Sequence, residues 1–379
     1  MEITNRQEIS ILSDLSISTT KRLIEQLLLD GVIIEKGVSG KTAQRGRKAK
    51  GLCLNGNYGY SIGINIEPDR IDLSILNIAG EVLEEHTTLI GNSDKNAIIK
   101  KVIRLVEDEK RKYGNAGTLL GIGLGIAGLV DARKGIVYYC PNLPGWENVE
   151  LTKQLQNHFK VKLFVDDSVR MMALAEKRYG IAKNFDNFLY IHIGTGVGSG
   201  IILDNHFYRG KNGISGEFGH MTIRQDGPLC NCGNHGCMEA LISTSAIMKS
   251  IRTSLDNNIY SSLSSIPENE LDIEKVSSAS MAGDKLATMI IHDTAENIGI
   301  GTTDLMTVFD PGVIIFNGVV MEQLTGVLEE VTRIVRLRGI AAISQRTEFY
   351  IGNSRHQAGS RGAATAMIEI FVDSDILNI

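Results

Sequence analysis

The apolar residues of the first thirty positions recur at helical spacing in two short blocks. Ile9, Leu12 and Leu15 share one face of a first predicted helix. A second predicted helix starts at Ser18, a residue type that commonly caps helix N-termini, and it ends at Gly31. Its apolar face consists of Leu23, Ile24, Leu27 and Leu28. The run "VIIEK" then predicts a strand, and two helices joined by the short turn "SDLSIS" are typical of a helix-turn-helix.

A glycine-rich, basic segment, "GVSGKTAQRGRKAKGLCLN", follows this strand. It carries five Lys and Arg between positions 41 and 50, with no acidic residue among them. Such a segment suits a wing, a hairpin whose cations contact phosphates or enter a minor groove. The predicted DNA contacts lie at the start of the second helix and in the wing: Thr19, Thr20, Lys21, Arg22, Arg45, Arg47 and Lys48.

The alternative interpretation is a small helical appendage with a basic linker. A winged helix normally has another helix before this pair, whereas here the chain begins almost at the pair. That first helix is missing, supplied from elsewhere or lost to a misassigned start, and the sequence leaves these alternatives open.

The pattern of the body is one of strand meanders followed by helices. "YGYSIGINIEPDRIDLSILNIAGEVLEEHTTLI" predicts three consecutive strands, a helix follows at about 94–113, and "LLGIGLGIAGLVD" predicts a buried strand. A second copy begins at "FLYIHIGTGVGSGIILDNHFYRG". We therefore expect a duplicated α/β fold with a cleft between two lobes. The predicted domains are a DNA-binding module at 1–54, a first lobe at 55–175 and a second lobe at 176–379, with the last helix able to pack back on the first lobe.

Charge separates the two ends of the chain, although the net charge of all 379 residues is only −5. Residues 1–52 hold nine Lys and Arg against six Asp and Glu, which leaves an acidic body and a basic end suited to a polyanion. No run of apolar residues is long enough for a membrane span, and the N-terminus has no apolar signal-peptide core. Five cysteines argue against a disulfide scaffold and favour a reducing cytoplasm.

Three of those cysteines fall within the stretch "HMTIRQDGPLCNCGNHGCMEA". His220, Cys230, Cys232 and Cys237 supply one imidazole and three thiolates, which is a closed tetrahedral set for a structural zinc ion. Gly233 and Gly236 would allow the tight turns of this metal-binding segment. The alternative is three buried or free cysteines without a metal.

The same stretch resembles the signature of the ROK family, the repressors, open reading frames and sugar kinases. "CPNLPGW", "GLGIAGLVD" and "IGTGVGSGIILD" also match the family pattern, and the resemblance covers essentially the whole chain. It implies a two-lobed actin-like (ribonuclease H-like) sugar-kinase fold, a structural zinc and a sugar site in the cleft. Family members divide into kinases without a DNA-binding domain and repressors that have one.

The resemblance implies a sugar site at Asn142, Asp167, Glu217, His220 and Glu239. Carboxylates, amides and imidazole are the natural partners of sugar hydroxyls, which both donate and accept hydrogen bonds. The zinc would hold His220 and support the nearby Glu239. A plain alternative for Glu239 is a charge favoured at a helix N-terminus. The glycine-rich turn 194–200 offers backbone amides to a phosphate or a sugar, although such turns are often only tight hairpins.

The stretch "VDDSVRMMALAE" bears on catalysis. Family kinases resemble V-x-N-D-A-N here, and the Asp after the Asn acts as the base that deprotonates the sugar hydroxyl. In a gapless alignment Asp167 replaces the Asn, Ser168 replaces the base and Arg170 replaces the second Asn. A slip by one residue would instead make Asp167 the base.

Two further positions related to ATP also differ from the kinase pattern. Where family kinases resemble D-x-G-G-T, this chain has "NIEPD", so Asn65, Glu67 and Pro68 stand at the phosphate turn. The added charge and the loss of one N–H donor disfavour phosphate. "IIFNGVV" departs from the glycine triplet that would pack against adenosine.

The resemblance therefore implies a sugar-responsive transcriptional repressor of the family, similar to xylose or N-acetylglucosamine repressors. We expect a homodimer or homotetramer that binds operator DNA, takes a sugar in the cleft, contains structural zinc and lacks a functional ATP–Mg²⁺ site. One rival is an ATP-dependent sugar kinase similar to glucokinase, and another is a zinc-stabilised sugar-binding protein that no longer binds DNA. Neither the sugar nor the operator can be read from the sequence.

Overall fold

The fold is taken from a computed structural model that describes residues 5–37, 50–91, 93–352 and 357–372. Its first elements are two helices and a strand pair, with α1 at Arg6–Leu12, α2 at Ile17–Leu29, β1 at Ile33–Gly37 and β2 at Lys50–Leu54. Strands β1 and β2 pair in an antiparallel manner. The helix pair and strand predicted for the N-terminal module are therefore present, while the residues between β1 and β2, including most of the predicted wing, lie outside the described residues.

The start of the second helix corrects the sequence prediction, whereas its end confirms it. Ser16, not Ser18, is the N-cap, and its hydroxyl accepts a hydrogen bond from the Thr19 amide at 3.2 Å. Asp30 is the C-cap, and Gly31 follows it with a φ of 73° while the Val32 amide donates to the Leu27 carbonyl at 3.0 Å, so this glycine ends the helix as predicted. Within the predicted apolar face Ile24 is buried, but Leu23 is 44% exposed because few elements pack against this module.

The first large sheet has five strands in the order β5-β4-β3-β6-β9. Its strands are β3 at Gly59–Ile66, β4 at Arg70–Asn77, β5 at Val82–Leu89, β6 at Thr118–Ile126 and β9 at Leu163–Asp167. The first three form the predicted antiparallel meander, and β6 and β9 then add in parallel to β3. Helix α3 (Lys95–Tyr113), the hairpin β7 (Leu129–Asp131) and β8 (Ile136–Tyr139), and α4 (Leu151–Gln156) complete this half.

The second large sheet repeats this topology with the order β12-β11-β10-β13-β14. Its strands are β10 at Phe188–Ile193, β11 at Val197–Leu203, β12 at His206–Phe207, β13 at Val313–Asn317 and β14 at Glu348–Ile351. Again three antiparallel strands are followed by two parallel ones. The equal strand order in both sheets confirms the duplicated α/β fold that the sequence predicts.

The remaining helices pack around the two sheets. They are α5 at Ser168–Tyr179, α6 at Met238–Ile242, α7 at Thr244–Asp256, α8 at Ile273–Met281, α9 at Lys285–Phe309, α10 at Val319–Gln323, α11 at Val327–Arg338, α12 at Ala341–Ser344 and α13 at Ala358–Val372. Short 3₁₀ turns occur at Ile181–Asn184, Phe218–His220, Ser262–Ser265 and Glu268–Glu270. None of the helices in the described part of the chain is long and apolar enough to cross a bilayer.

The last helix, α13, lies directly on the first sheet. A Cβ added to Gly63 of β3 would come within 1.9 Å of the Ser360 carbonyl oxygen, and one added to Gly123 of β6 within 2.0 Å of the Ala363 carbonyl oxygen. Glycine is thus required at both strand positions because the backbones approach so closely. Helix α13 also packs against α5, and the predicted domain boundary at residue 175 falls inside α5.

Candidate functional site

A cavity of about 390 Å³ lies between the two large sheets, and elements of both halves line it. The first half contributes the turn after β3, the loop after β8 and the N-terminus of α5, which follows β9 directly. The second half contributes the turn between β10 and β11 and the segment 214–217. The structure brings all of the predicted sugar residues to this one cavity: Asn142, Asp167, Glu217, His220 and Glu239.

Asp167 ends strand β9 and caps helix α5. Its Oδ1 accepts hydrogen bonds from the backbone N–H groups of Val169 at 2.9 Å and Arg170 at 3.1 Å. Burial raises the pKa of Asp167 to about 6, while the Arg170 charge and the two amides oppose that rise. The cap holds the carboxylate in one orientation inside the cavity, and the adjacent Ser168 carries no carboxylate.

Glu239 connects the metal-binding segment to the glycine-rich turn. It lies in the first turn of α6, and its Oε2 accepts a hydrogen bond from the Val197 amide at 3.0 Å. Residues 194–196 form the predicted turn, whereas Val197–Leu203 is strand β11, so the turn is shorter than the sequence suggests. The side chain of Glu239 therefore fixes the end of this turn in addition to facing the cavity.

Glu217 precedes the 3₁₀ turn that carries His220. Burial is the main cause that raises the pKa of Glu217 to about 8, and the Asp167 charge adds to it. The Glu217 Oε2 atom lies 3.9 Å from His220 Nε2, which is too long for a hydrogen bond but places both groups on one wall. A carboxyl that stays protonated near neutral pH can donate as well as accept, and the Glu217 side chain, 40% exposed, is accessible to a hydroxyl-rich ligand.

The predicted zinc ligands His220, Cys230, Cys232 and Cys237 come together, with their ligand atoms all within 4.8 Å of one another. The Cys230 Sγ–His220 Nδ1 and Cys232 Sγ–Cys237 Sγ distances are both 3.7 Å. A tetrahedral zinc ion with Zn–S bonds of about 2.3 Å needs sulfur atoms roughly 3.8 Å apart, so these side chains fit the ion. Gly233 and Gly236 take positive φ values of 90° and 67°, as their predicted turns require.

In this cluster Nδ1 of His220 faces the thiolates, while Nε2 points toward Glu217. Zinc, when bound, would supply a rigid cross-link with no open position for a reacting group. The cluster fixes the ring of His220 at the cavity wall. The isolated β-bridge between Thr222 and Cys237 places the cluster next to the start of α6, where Glu239 lies.

The phosphate turn also faces the cavity through Glu67 and Pro68. The Asn65 Nδ2 donates to Glu67 Oε1 at 2.8 Å, and Asn65 Oδ1 has no hydrogen-bond partner among the described residues. Burial raises the pKa of Glu67 to about 7. The turn thus presents a carboxyl group and a proline ring where a phosphate-binding turn would present amides.

Two features of the site were missed by sequence reasoning. His192 of β10 lines the cavity, and its Nδ1 lies 3.0 Å from Asn317 Oδ1; a lone histidine in the apolar strand "YIHI" was the available signal. The buried Asp166 pairs with Arg170 Nη1 at 2.8 Å and with Arg209 Nη1 at 2.5 Å. This second feature joins α5 to the chain after β12, and no local pattern predicts it.

The predicted DNA contacts of the N-terminal module do not all reach the surface. Lys21 and Arg22 are exposed in the first turns of α2, and Thr19 is partly exposed beside Ser16. The prediction that Thr20 contacts DNA is wrong, because this residue is only 3% exposed and faces the module's interior one turn before Ile24. Arg45, Arg47 and Lys48 lie outside the described residues.

The repeated sheets, the cavity between them and the Cys₃His cluster define a two-lobed, actin-like sugar-kinase fold preceded by a helix-turn-helix module. The chain belongs to the ROK family, whose model matches residues 61–370. It is 33% identical over 319 residues to the xylose repressor of Caldicellulosiruptor bescii, an alignment that covers 83% of this chain and 79% of that protein.

Two solved structures extend this comparison. The crystal structure of a ROK family transcriptional regulator, a homolog of the E. coli MLC protein, matches with a TM-score of 0.85 at 25% identity and covers 98% of this chain and 93% of its own. A ROK family glucokinase from Streptomyces griseus, in complex with glucose and AMPPNP, matches with a TM-score of 0.70 at 26% identity, over 81% of this chain and 98% of its own. The regulator match includes the N-terminal module, and these similarities support the repressor branch of the family.

Proposed function

We propose that this protein is a sugar-responsive transcriptional repressor of carbohydrate-utilisation genes, acting in the cytoplasm as a homodimer or homotetramer. The observation that carries the proposal is the cavity between the sheets, where five predicted sugar partners converge while the phosphate turn presents Glu67 and Pro68. The proposal combines a sugar as effector, operator DNA as target and a structural zinc ion as support.

The ligand side of the proposal rests on the chemistry of the cavity wall. An amide, an imidazole and several carboxyl groups offer donors and acceptors at close spacing, as a polyhydroxyl ligand requires. The cap on Asp167 and the amide bond to Glu239 restrict these side chains before any ligand arrives. The repressor relative named for xylose makes D-xylose the first sugar to test.

The DNA side rests on the exposed cations of α2. In a helix-turn-helix the N-terminal residues of the second helix reach the edges of bases, while neighbouring cations contact phosphates. Lys21 and Arg22 occupy such positions in α2. Two copies in a dimer would read half-sites about one helical turn apart.

The connection between the two sites is the first lobe itself. Val32, Leu54 and Tyr58 at the junction with the N-terminal module pack against a core cluster that includes Ile78 of the first lobe and Ile368 of α13. A sugar that favours one angle between the lobes would therefore carry the modules of a dimer out of register with the operator. Such control requires that the sugar bind the two conformations with a difference of a few kcal/mol.

The phosphate turn and the base position support the proposed loss of kinase activity. The Glu67 carboxylate would repel a nucleotide phosphate at close range, and Pro68 cannot donate an N–H. In the gapless alignment Ser168 takes the base position, where it cannot act as a carboxylate base. We therefore assign no catalytic residue and no ATP–Mg²⁺ site.

An ATP-dependent sugar kinase is the second candidate, and one observation favours it. The Asp167 carboxyl lines the cavity, and its raised pKa of about 6 suits a group that takes a proton from a sugar hydroxyl. Sugar-dependent release of ADP that disappears in Asp167→Asn would establish this function.

The test of the proposed function is a gel-shift titration of purified, zinc-loaded protein. The DNA fragments are those upstream of its own gene and of neighbouring sugar genes, and each is repeated with a panel of sugars and sugar phosphates. We expect a specific shift that one sugar releases. If the folded, zinc-bound protein shifts no fragment at low salt, the proposed DNA-binding function is contradicted, and the ADP-release assay then tests the kinase alternative.

A further inference from the structure

A second group of metal-binding side chains lies outside the cavity, between the edge strand β5 and helix α3. Glu84 and His86 are two residues apart on β5 and therefore share one face of the sheet. Glu109 comes from α3, and the ligand atoms of the three side chains all lie within 4.8 Å of one another. None of them lines the cavity or belongs to the Cys₃His cluster.

The Glu109 carboxyl is the unusual member of this group. The residue is only 7% exposed, and its Oε2 has no hydrogen-bond partner among the described residues. Buried carboxyl oxygens are normally paired, since an unpaired one loses its hydration without compensation. Burial, with the Glu84 charge as a second cause, raises the pKa of Glu109. The surrounding protein therefore leaves this oxygen in need of a proton or a cation.

The nearby cation does not meet that need. Lys112 donates to Glu84 Oε2, as does the Tyr113 hydroxyl at 2.8 Å, so both donors orient Glu84. No hydrogen bond joins Lys112 to Glu109 in the described structure, and the Lys112 side chain is 55% exposed. An ammonium group so open to water can move aside for a metal ion at little cost.

We propose that Glu84, His86 and Glu109 form a second site for a zinc-class divalent cation, which cross-links β5 to α3. One imidazole and two carboxylates are a donor set that zinc and its first-row neighbours accept, and water can complete the coordination. The cation would pair the orphaned oxygen of Glu109 and replace its proton. The site would stabilise the exposed edge of the first sheet, independently of sugar and DNA binding.

The experiment measures metal content in the full-length protein. Wild type is loaded with zinc, passed through gel filtration and analysed by inductively coupled plasma mass spectrometry, in parallel with His86→Asn, Cys232→Ser and their double variant. We expect two equivalents per chain for wild type, one for each single variant and none for the double variant. His158→Asn, which removes an exposed histidine elsewhere on the same half, should keep both equivalents.

Cobalt substitution identifies which site each equivalent occupies. Thiolate-to-cobalt charge-transfer absorption should disappear in Cys232→Ser and persist in His86→Asn. The weaker visible bands of a nitrogen–oxygen site should disappear in His86→Asn and persist in Cys232→Ser. A single equivalent in wild type that Cys232→Ser removes completely would overturn the proposal. Retention of two zinc equivalents in both His86→Asn and Glu109→Gln would also overturn the proposal. Because His86 is only half-buried, His86→Asn provides the test even if Glu109→Gln fails to fold.

Discussion

The two sides of the cavity differ in how their polar groups are held. On the sugar side, Asp167 caps a helix, Glu239 accepts a backbone amide and His220 belongs to a cluster with the geometry of a zinc site. On the phosphate side, Glu67 is bound by Asn65, whose own oxygen is left without a partner among the described residues. This difference supports our proposal that the cleft takes a hydroxyl-rich ligand and not a nucleotide.

Removing the metal cluster should give the largest effect on this contrast. In Cys237→Ser the buried Sγ is lost from the cluster, and structural zinc sites contribute directly to folding free energy. We expect loss of the tightly bound zinc, a fall in Tm of at least about 10 °C and no sugar response. Metal analysis and calorimetry check this, with Cys53→Ser, a cysteine in β2, as the control. A variant with full zinc content and unchanged Tm would contradict the assigned ligands.

Glu217→Ala should weaken the sugar side alone. Because the pKa of about 8 keeps this carboxyl largely protonated at neutral pH, the variant leaves a sugar hydroxyl without a neutral partner, at a cost of about 1–3 kcal/mol or roughly 5- to 150-fold in sugar affinity. Operator affinity without sugar should stay within about two-fold of wild type, because the residue lies far from α2 in the sequence and faces the cavity. Titration of the preformed operator complex with sugar measures both quantities. An intact sugar response in this variant would refute the site assignment.

Glu67→Gln tests the phosphate side through pH. Because the pKa of Glu67 is raised from 4.5 to about 7 in the folded protein, the folded state binds more protons than the unfolded state. The stability that this group contributes is therefore full below pH 4.5 and falls as the pH rises through about 7. The free energy of unfolding of the Gln variant, relative to that of wild type, should rise by on the order of 2 kcal/mol between pH 5 and pH 8. Urea unfolding at both pH values measures this, and parallel pH dependences would exclude the burial of a charged Glu67.

Arg22→Ala should give the smallest effect, confined to DNA. Removing one phosphate contact lowers the slope of log affinity against log salt by about 0.9 and weakens binding a few-fold at moderate salt. Arg104→Ala, which removes another exposed arginine on α3, is the matched control and should leave the slope unchanged. Fluorescence anisotropy across a salt series distinguishes the two. Equal slopes in wild type and Arg22→Ala would remove Arg22 from the interface, and Arg47→Ala extends the same test to the predicted wing.

The sequence predicts those parts of the molecule that depend on local pattern. The meander of β3 to β5, the helix after Asp94 and the ligand spacing around Cys230 all follow from residues close together in the chain. It fails where tertiary contacts decide. The cap moved from Ser18 to Ser16 and Thr20 turned inward because the helix pairing sets the phase of α2.

The same limit applies within the cavity. The ion pair between Asp166 and Arg209 joins residues that are 43 positions apart, so no local window of sequence contains it. The family resemblance identifies the predicted sugar residues one by one, but they converge only because the two halves of the fold line one cavity. Glu109 carries no local signal in the sequence, because only the fold brings this residue of α3 beside Glu84 and His86 of β5.

The most direct test of the central contrast is calorimetric titration of one zinc-loaded preparation with two kinds of ligand. One arm is a panel of neutral monosaccharides beginning with D-xylose, and the other is ATP, ADP and AMPPNP with Mg²⁺. The account predicts saturable binding of at least one sugar and no measurable binding of any nucleotide, with or without that sugar. Nucleotide binding, or a nucleotide-dependent gain in sugar affinity, would contradict the account and favour the alternative of an ATP-dependent sugar kinase.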